Sequence, residues 1–312
     1  MRAFLFPGQG SQAVGMGAAL AEASRAARDV FSEVDEALGQ NLFRLMREGP
    51  DDELRLTENA QPAIMANSIA VFAGLTKEGG VDLAKAANFV AGHSLGEYSA
   101  LSAAGSFDLP TTAKLLKLRG QAMQQAVPVG QGAMAALLGT DLALARRIAE
   151  VAAQGEVCAV ANDNDPSQVV LSGHKGAIDR VIEIAKEMGA KRAVSLPVSA
   201  PFHSPLMQPA AEAMSDALSY VILEDPIVPV FANVTAQPES DPDAIRNLLV
   251  EQVTGMVRWR ESVGNMFDAG VGEFVEIGGK VLGPMVKRIA PDAKVISVVS
   301  IEDIEALAKE IA

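Results

Sequence analysis

Cysteine is nearly absent from this chain of 312 residues, in which Cys158 is the only one. A single thiol cannot form an internal disulfide, which excludes the disulfide-stapled folds of small secreted domains. Cys158 lies in the apolar run Val157-Cys158-Ala159-Val160, a pattern that predicts a buried strand. The segment before Pro7 has one basic residue and too short an apolar run to resemble a secretory signal peptide. We therefore expect a cytoplasmic location.

Long hydrophobic runs and positive charge are also scarce. The longest apolar stretch, residues 63–75, is interrupted by Asn67 and Ser68 and is shorter than the roughly 20 residues that a membrane-spanning helix needs. The formal net charge is −13, and one tryptophan and two tyrosines leave few rings for stacking on bases. We therefore expect neither a membrane nor a nucleic acid as a partner.

Histidine is rare as well, and the three histidines, His93, His174 and His203, lie far apart in the sequence. Metal sites built from histidine and cysteine need several ligands, commonly at short characteristic spacings. No such spacing occurs here, and we predict no metal site.

The rest of the composition is that of an ordinary globular protein, with 49% hydrophobic and 21% charged residues. The length allows either two domains or one large α/β domain. Strand and helix patterns alternate along most of the chain, which predicts an α/β fold. The strands predicted in this alternating part are 3–6, 88–91, 228–232 and 273–277. The helices predicted there are 15–38, 61–78, 110–123, 205–219, 241–252, 259–269 and 281–289.

Residues 129–198 have a different pattern. The order is a strand, a helix, two strands, a helix and a strand, at 133–138, 141–153, 157–161, 168–172, 175–188 and 191–196. This βαββαβ order is ferredoxin-like. We therefore predict a discontinuous domain of residues 1–128 and 199–312 that carries an inserted subdomain of residues 129–198.

The pentapeptide Gly92-His93-Ser94-Leu95-Gly96 directly follows the predicted strand 88–91. A serine on a sharp turn between a strand and a helix projects its hydroxyl outward, and flanking glycines remove side chains that would collide there. The backbone N–H of Leu95 would face an oxyanion formed at a carbon bonded to the serine. The alternative is a purely structural turn, but the context favours Ser94 as a nucleophile.

A serine nucleophile needs an adjacent general base, most often a histidine. His93 is the sequence neighbour of Ser94, but adjacent side chains diverge on a sharp turn, so His93 is expected to pack beside it. His174 lies in a predicted surface connection, residues 172–176. His203 lies in a loop bracketed by prolines, where the large domain resumes, and catalytic groups concentrate on such loops. We predict His203 as the base.

Arg119 lies on the inward face of the predicted helix 110–123. Its neighbours one turn away are all apolar, namely Leu115, Leu116, Ala122 and Met123. An inward guanidinium stays protonated and needs an anion, because an unpaired buried charge costs several kcal/mol. Two anions fit this requirement: an aspartate or glutamate of the chain, or a carboxylate on a substrate held by the planar guanidinium.

The segment Gly8-Gln9-Gly10-Ser11-Gln12-Ala13 matches the G-x-G-x-x-A dinucleotide fingerprint. That fingerprint expects a second strand ending in an acidic residue about 20 positions later, whereas residues 22–38 predict a helix. The turn is therefore a weak match to a nicotinamide site, and the N–H of Gln9 is a candidate oxyanion donor opposite Leu95. A serine hydrolase, which would leave Arg119 without a role, and a non-catalytic acyl-binding or complex-scaffolding protein stay open as alternatives.

Five segments occur in a fixed order along the chain, namely 6–12, 92–97, 118–120, 199–204 and 276–282. Together they resemble the bacterial malonyl-CoA:acyl-carrier-protein transacylases of type II fatty acid synthesis. This resemblance implies an α/β-hydrolase-like large domain with a ferredoxin-like insertion. The segment Gly278-Gly279-Lys280 has glycine where many relatives have proline, and Phe202 beside His203 resembles the pairing in malonyl-selective polyketide acyltransferases.

The resemblance also implies a ping-pong reaction. Ser94 would attack the thioester of malonyl-CoA while His203 takes its proton, and the phosphopantetheine thiol of acyl carrier protein would then accept the malonyl group. The N–H groups of Gln9 and Leu95 would hold the oxyanion, and Arg119 would bind the malonyl carboxylate.

Two further positions match site residues of the resembled family. Gln252 matches the residue whose backbone carbonyl orients the histidine, and Asn162 matches an asparagine that lines the pocket. The implied substrates are coenzyme A thioesters and phosphopantetheine-carrying acyl carrier protein, with no permanently bound cofactor, and we expect a monomer. Acyl carrier proteins are acidic, as this chain is, so attraction must be local. Candidate basic positions are Lys114, Lys117, Lys186, Lys191, Arg192, Lys280, Lys287 and Arg288, each of which is alternatively an ordinary solvated side chain.

Overall fold

The computed structural model describes residues 1–198 and 200–311, and its strands form two sheets. The strands are β1 (Arg2–Phe6), β2 (Phe89–Gly92), β3 (Gly132–Leu138), β4 (Cys158–Asp165), β5 (Gln168–His174), β6 (Arg192–Ser195), β7 (Val230–Phe231), β8 (Pro238–Glu239), β9 (Glu273–Ile277) and β10 (Lys294–Val298). The first eight helices are α1 (Ala18–Ala23), α2 (Arg25–Leu38), α3 (Leu42–Glu48), α4 (Asp51–Arg55), α5 (Thr57–Ala73), α6 (Leu83–Ala86), α7 (Leu95–Ala103) and α8 (Leu109–Gln125). The others are α9 (Leu142–Ala153), α10 (Lys175–Ile184), α11 (Gln208–Ser219), α12 (Pro242–Thr254), α13 (Trp259–Asp268), α14 (Gly283–Ile289) and α15 (Ile301–Ile311).

The larger sheet has the strand order β10-β9-β1-β2-β7-β8, and all neighbours except β7 and β8 are parallel. A parallel sheet is covered on both faces, and β1 accordingly alternates between two cores. Phe4 and Phe6 pack into one core, and Ala3 and Leu5 into the other. The register pairs Phe6 with Gly92, so the turns that follow β1 and β2 lie side by side at the carboxyl edge, where α/β sheets commonly bind ligands.

Helix α5 is the buried element against which α2, α7 and α8 pack. Its hydrophobic residues surround the helix axis instead of forming a stripe, as expected for a helix enclosed on all sides. The longest apolar stretch of the sequence therefore belongs to the interior of the α/β layer. Within that stretch the Asn67 side chain donates to the carbonyl oxygen of Gly278 at 3.0 Å. No helix among the described residues is both long and apolar enough to cross a bilayer.

The smaller sheet is antiparallel, with the order β4-β5-β3-β6, and α9 and α10 pack on one of its faces. This arrangement confirms the predicted ferredoxin-like βαββαβ pattern. Strand β4 joins the larger layer through Val257, whose N–H donates to the carbonyl of Ala161 at 2.9 Å. The predicted boundaries at 128/129 and 198/199 stay a prediction, and Ser199 lies outside the described residues.

Several predicted elements differ from those observed. The predicted helix 15–38 is divided at Ser24, because the Ser24 hydroxyl accepts from the N–H of Ala27 and so caps the start of α2. Pro62 lies inside α5 instead of in its first turn, and a π-helical turn, Gly74–Glu78, extends that helix. The elements that the sequence analysis missed are α3, α4, α6, β8, β10 and α15.

The predicted strand at Cys158 is present, but its first residues, Cys158 included, are half-buried and not buried as predicted. Only the first three residues of β4 are half-buried, and the strand is buried from Ala161 onward. Burial still raises the pKa of the thiol to about 11. The thiol is therefore protonated at neutral pH, and it lies outside the cavity described below.

Candidate active site

Ser94 lies at a strained turn between β2 and α7. Its φ is 53° and its ψ is −113°, a conformation that residues with a side chain rarely adopt. Close packing makes glycine necessary on both sides of it. A β-carbon at Gly92 would lie 1.8 Å from the carbonyl oxygen of Gly96, and one at Gly96 would lie 2.2 Å from that of Phe6. The predicted succession of strand, turn and helix is present, and the serine hydroxyl projects from its apex.

His203 is the histidine that the fold brings to Ser94. Its Nε2 lies 2.7 Å from the Ser94 Oγ. Its Nδ1 lies 2.9 Å from the backbone carbonyl oxygen of Gln252 and 3.1 Å from that of Gly255. Carbonyl oxygens only accept, so Nδ1 carries the proton and Nε2 presents its lone pair to the serine hydroxyl.

The environment of His203 keeps its imidazole neutral. The ring is 4% exposed, and burial, together with the positive charge of Arg119, lowers its pKa to about 3. A neutral imidazole with a free Nε2 lone pair is the form that can accept a proton from a hydroxyl.

The other two histidines have different environments. The His93 Nε2 lies 2.8 Å from the Oδ1 of Asn164, and its ring centroid lies 5.6 Å from that of Trp259. His93 therefore packs beside the turn. His174 ends β5 and is half-buried, and its Nδ1 accepts from the N–H of Val157 at 2.9 Å. The prediction that His174 lies in a surface connection was wrong, because this bond ties it to the start of the neighbouring strand.

Arg119 points inward, as its helical position predicts, and is 1% exposed. Its Nη1 donates to the Gln61 Oε1 at 2.8 Å, and its Nη2 donates to the Gln252 Oε1 at 2.8 Å and to the Ser94 Oγ at 3.1 Å. Its guanidinium also lies 5.7 Å from the ring centroid of Tyr98. Among the described residues no carboxylate lies within ion-pair distance of it, and its Nε has no hydrogen-bond partner. The guanidinium therefore has no ion-pair partner beside the serine hydroxyl, although the buried Glu97 interacts with it electrostatically.

These residues enclose a cavity of about 260 Å³ between the two sheets. Six of the seven site residues proposed from the sequence line it, namely Gln9, Ser94, Leu95, Arg119, Asn162 and His203. The seventh, Gln252, is fully buried behind His203 and Arg119. Apolar side chains form much of the remaining wall, among them Met123, Met134, Leu196 and Phe202.

The turn after β1 packs directly against the turn that carries Ser94. A β-carbon at Gly8 would lie 2.6 Å from the carbonyl oxygen of His93, so only glycine fits there. This contact places Gln9 at the cavity wall, which Leu95 also lines. Leu95 is the first residue of α7, and the first N–H groups of a helix have no partner within the helix. The N–H of Leu95 is therefore not engaged within its helix, and Gln9 lines the same cavity.

Three residues of this network were missed by the sequence analysis: Gln61, Asn233 and Glu97. The Asn233 Oδ1 accepts from the N–H of Ser94 at 2.7 Å, and its Nδ2 donates to the carbonyl of Gly92 at 2.7 Å. Asn233 follows β7 at the same sheet edge as Ser94. For Asn233 the available signal was a polar residue directly after a short buried strand. For Gln61 it was an amide side chain within a buried helix.

Several of the candidate basic positions make contacts within the chain. The Lys117 Nζ donates to the Gln40 Oε1 and the Asn59 Oδ1, both at 2.9 Å. The Arg288 Nε pairs with the buried Asp165 at 2.8 Å. Lys191, Arg192 and Arg288 border one surface depression.

The whole chain is similar to known acyltransferases. The family model described as acyl transferase domain matches residues 3–282. The malonyl CoA-acyl carrier protein transacylase of Escherichia coli strain K12 is 44% identical over 92% of each chain. That of Bacillus subtilis strain 168 is 45% identical over 97% of this chain and 95% of its own.

Solved structures are equally similar. The acyl-carrier-protein S-malonyltransferase from Bartonella henselae superposes with a TM-score of 0.97 and 53% identity over 99% of both chains. A malonyl-transacylase solved in complex with a type II polyketide acyl carrier protein superposes with a TM-score of 0.95 and 40% identity, also over 99% of both chains.

Proposed function

The chain belongs to the acyl transferase family, among the malonyl CoA-acyl carrier protein transacylases, and we propose that it transfers the malonyl group of malonyl-CoA to the phosphopantetheine thiol of acyl carrier protein. One observation carries the proposal. A serine in hydrogen-bond contact with a neutral histidine also lies 3.1 Å from a buried guanidinium that has no carboxylate partner. The first pair suits acyl transfer, and the guanidinium suits an acyl group that ends in a carboxylate.

In the first half-reaction the Ser94 Oγ attacks the thioester carbonyl, and its proton passes to the His203 Nε2. The N–H groups of Gln9 and Leu95 hold the oxyanion of the tetrahedral intermediate. The carbon–sulfur bond then breaks, and the departing thiolate takes the proton from His203. The products are coenzyme A and a malonyl ester of Ser94.

In the second half-reaction the phosphopantetheine thiol attacks the ester carbonyl, and its proton passes to His203. The bond between the carbonyl carbon and the Ser94 Oγ breaks, and the serine oxygen takes that proton back. The enzyme returns to its starting state, and the carrier holds a malonyl thioester. The thioester bond energy is conserved between the two carriers, so no further cofactor enters the reaction.

Arg119 gives the reaction its preference for malonyl groups. Its guanidinium is held in the free enzyme by two glutamine oxygens, which orient it without neutralising its charge. A malonyl carboxylate bound through two parallel hydrogen bonds would supply the missing negative charge. An acetyl group would leave the buried cation unpaired, which is the kind of contact that discriminates strongly between similar substrates.

The experiment that tests the proposal is intact mass measurement after incubation with malonyl-CoA. One malonyl group should be added to the wild type and none to Ser94→Ala, and the loaded wild type should then pass the group to phosphopantetheine-carrying acyl carrier protein. Absence of the adduct on the wild type, or equal adducts on both proteins, would refute the proposed intermediate. Arg119→Met with acetyl-CoA serves as the selectivity control.

A further inference from the structure

Glu97 is a buried acid for which the proposed reaction has no task. It is the third residue of α7, is 2% exposed, and stands behind the cavity wall. Its Oε2 accepts two hydrogen bonds, from the Gln252 Nε2 at 2.8 Å and from the N–H of Asn233 at 3.1 Å. Both donors belong to residues that contact Ser94 directly. One oxygen atom of Glu97 therefore connects two supports of the proposed nucleophile.

The first support is the side-chain amide of Gln252. Its Oε1 accepts from the Arg119 Nη2 at 2.8 Å, and its Nε2 donates to the Glu97 Oε2 and to the carbonyl of Ser94. A guanidinium only donates, and the Glu97 oxygen accepts. These two neighbours together allow a single orientation of the amide, with its oxygen towards Arg119.

Gln252 also affects His203, because its backbone carbonyl accepts from the histidine Nδ1. A displaced Gln252 would therefore move both the guanidinium and the imidazole relative to the Ser94 hydroxyl. The second support, Asn233, accepts from the N–H of Ser94 and donates to the carbonyl of Gly92, and so holds the turn itself. Glu97 fixes the backbone N–H of this asparagine.

We propose that Glu97 is a positioning residue of the transfer reaction, which aligns Arg119 and His203 on Ser94 through the Gln252 amide and holds the Ser94 turn through Asn233. The inference rests on the proposed function. This role requires an acceptor oxygen at the position of the Glu97 Oε2, because both donors bind to that one atom. Negative charge is not required for this role, because a neutral amide oxygen accepts the same two bonds.

The groups that face Glu97 are the Arg119 guanidinium, the Tyr98 ring and the two amide residues. Burial raises the pKa of Glu97 to about 7, against the opposing effects of Gln252, Asn233 and the Arg119 charge. Near neutral pH both the acid and its conjugate base are therefore populated. A role that depended on the full negative charge would be compromised in the protonated molecules, whereas an acceptor role would not.

Two substitutions separate these roles. Glu97→Gln keeps an oxygen at the same depth and removes the charge, whereas Glu97→Asp keeps the charge and withdraws the oxygens by one methylene. Per titrated Ser94, we expect Glu97→Asp to lose about 10- to 100-fold in kcat/KM for malonyl-CoA and Glu97→Gln to stay within about threefold of wild type. Glu97→Asp should also show a smaller preference for malonyl-CoA over acetyl-CoA, because Arg119 is no longer held.

The matched control is Glu276→Asp. Glu276 is an equally buried glutamate that accepts from the N–H groups of Val281, Leu282 and Gly283 at the start of α14. Its shortening should lower the thermal unfolding midpoint but leave the per-site kinetics and the malonyl preference unchanged. This control measures the cost of shortening a buried glutamate as such.

The positioning role is overturned if Glu97→Asp retains kcat/KM within about threefold, or if Glu97→Gln loses as much as Glu97→Asp. It is equally overturned if Glu97→Asp only reduces the fraction of titratable Ser94. Should Glu97→Asp not fold, Glu97→Gln decides alone, since a loss beyond about threefold contradicts the acceptor role. A wild type that forms no malonyl adduct refutes the proposed function itself, a result that is separate from all of these.

Discussion

Arg119 offers the sharpest test of how the cavity selects its acyl group. Replacement of Arg119 by methionine removes the charge and keeps a side chain of substantial apolar volume. On the proposed reaction, the guanidinium and the malonyl carboxylate form a charge-assisted, bidentate pair in a buried site, and breaking such a pair costs about 3–5 kcal/mol. Since each 1.36 kcal/mol is a factor of ten, kcat/KM for malonyl-CoA should fall by about 10²- to 10⁴-fold.

Acetyl-CoA provides the comparison, because it lacks the carboxylate. In the wild type it leaves the guanidinium buried and unpaired, so Arg119→Met should change its kcat/KM far less than that of malonyl-CoA. Arg119→Lys keeps the charge but loses the planar pair of donors, and it should fall between the wild type and Arg119→Met with malonyl-CoA. Single-turnover acylation followed by intact mass separates this step from transfer to the carrier.

A second contact of Arg119 has to be separated from carboxylate binding. Its Nη2 also donates to the Ser94 Oγ, so the substitution alters the nucleophile for every substrate. That part of the effect is the loss shared by acetyl-CoA and malonyl-CoA, and the carboxylate term is the difference between them. Equal losses with the two thioesters, or a malonyl kcat/KM within about threefold of wild type, would refute carboxylate binding by Arg119.

Four further predictions follow from the geometry. Because burial and the Arg119 charge lower the pKa of His203 to about 3, the acid limb of kcat/KM should lie well below the ordinary histidine value of about 6.5, and a limb at or above that value would contradict this assignment. The unfolded chain then binds a proton at His203 that the folded chain does not, so the contribution of His203 to the free energy of unfolding should fall by about 1.4 kcal/mol per pH unit as the pH drops from about 6.5 towards 3. Glu97, whose pKa is raised, contributes in the opposite direction, so the measured quantity is the difference between urea titrations of the wild type and of His203→Gln. Gly96→Ala would place a β-carbon 2.2 Å from the Phe6 carbonyl oxygen, and a thermal melt should show severe destabilisation; a wild-type midpoint would contradict the close approach of the two turns. Ser24→Ala should cost about 1 kcal/mol in urea unfolding by removing the cap of α2, and it should leave kcat/KM unchanged.

Local sequence patterns predicted the structure correctly wherever the determining interaction joins residues that are close in the sequence. The ferredoxin-like order was predicted because each strand and helix of that segment has its own apolar period and its own turn residues. The inward direction of Arg119 was predicted because helical spacing fixes which neighbours share its face. The turn at Ser94 was recognised because its glycines are adjacent in the chain to the residue they accommodate.

Interactions between segments that are distant in the sequence could not be predicted from local patterns. Glu97 lies 155 residues from Gln252 and 136 from Asn233, so nothing in its local sequence indicates its partners. The break at Ser24 was missed because the apolar pattern continues across it, while the capping hydroxyl interrupts only the backbone. Cys158 was expected to be buried because an apolar run predicts a strand but does not indicate which part of that strand is covered, and only the start of β4 is half-buried.

The histidine of this site differs from that of a serine, histidine and aspartate triad in the charge behind it. Here two neutral carbonyl oxygens accept from Nδ1, and the nearest fixed charge is the guanidinium of Arg119, which lowers the pKa of the imidazole. On the proposed reaction, a bound malonyl carboxylate neutralises that guanidinium and so removes one cause of the low pKa. The base then becomes stronger when an acyl group with a carboxylate is in place, and an acetyl group gives no such gain. Selectivity and proton transfer are thereby coupled through a single side chain, which explains why a neutral oxygen behind His203 is compatible with a competent base.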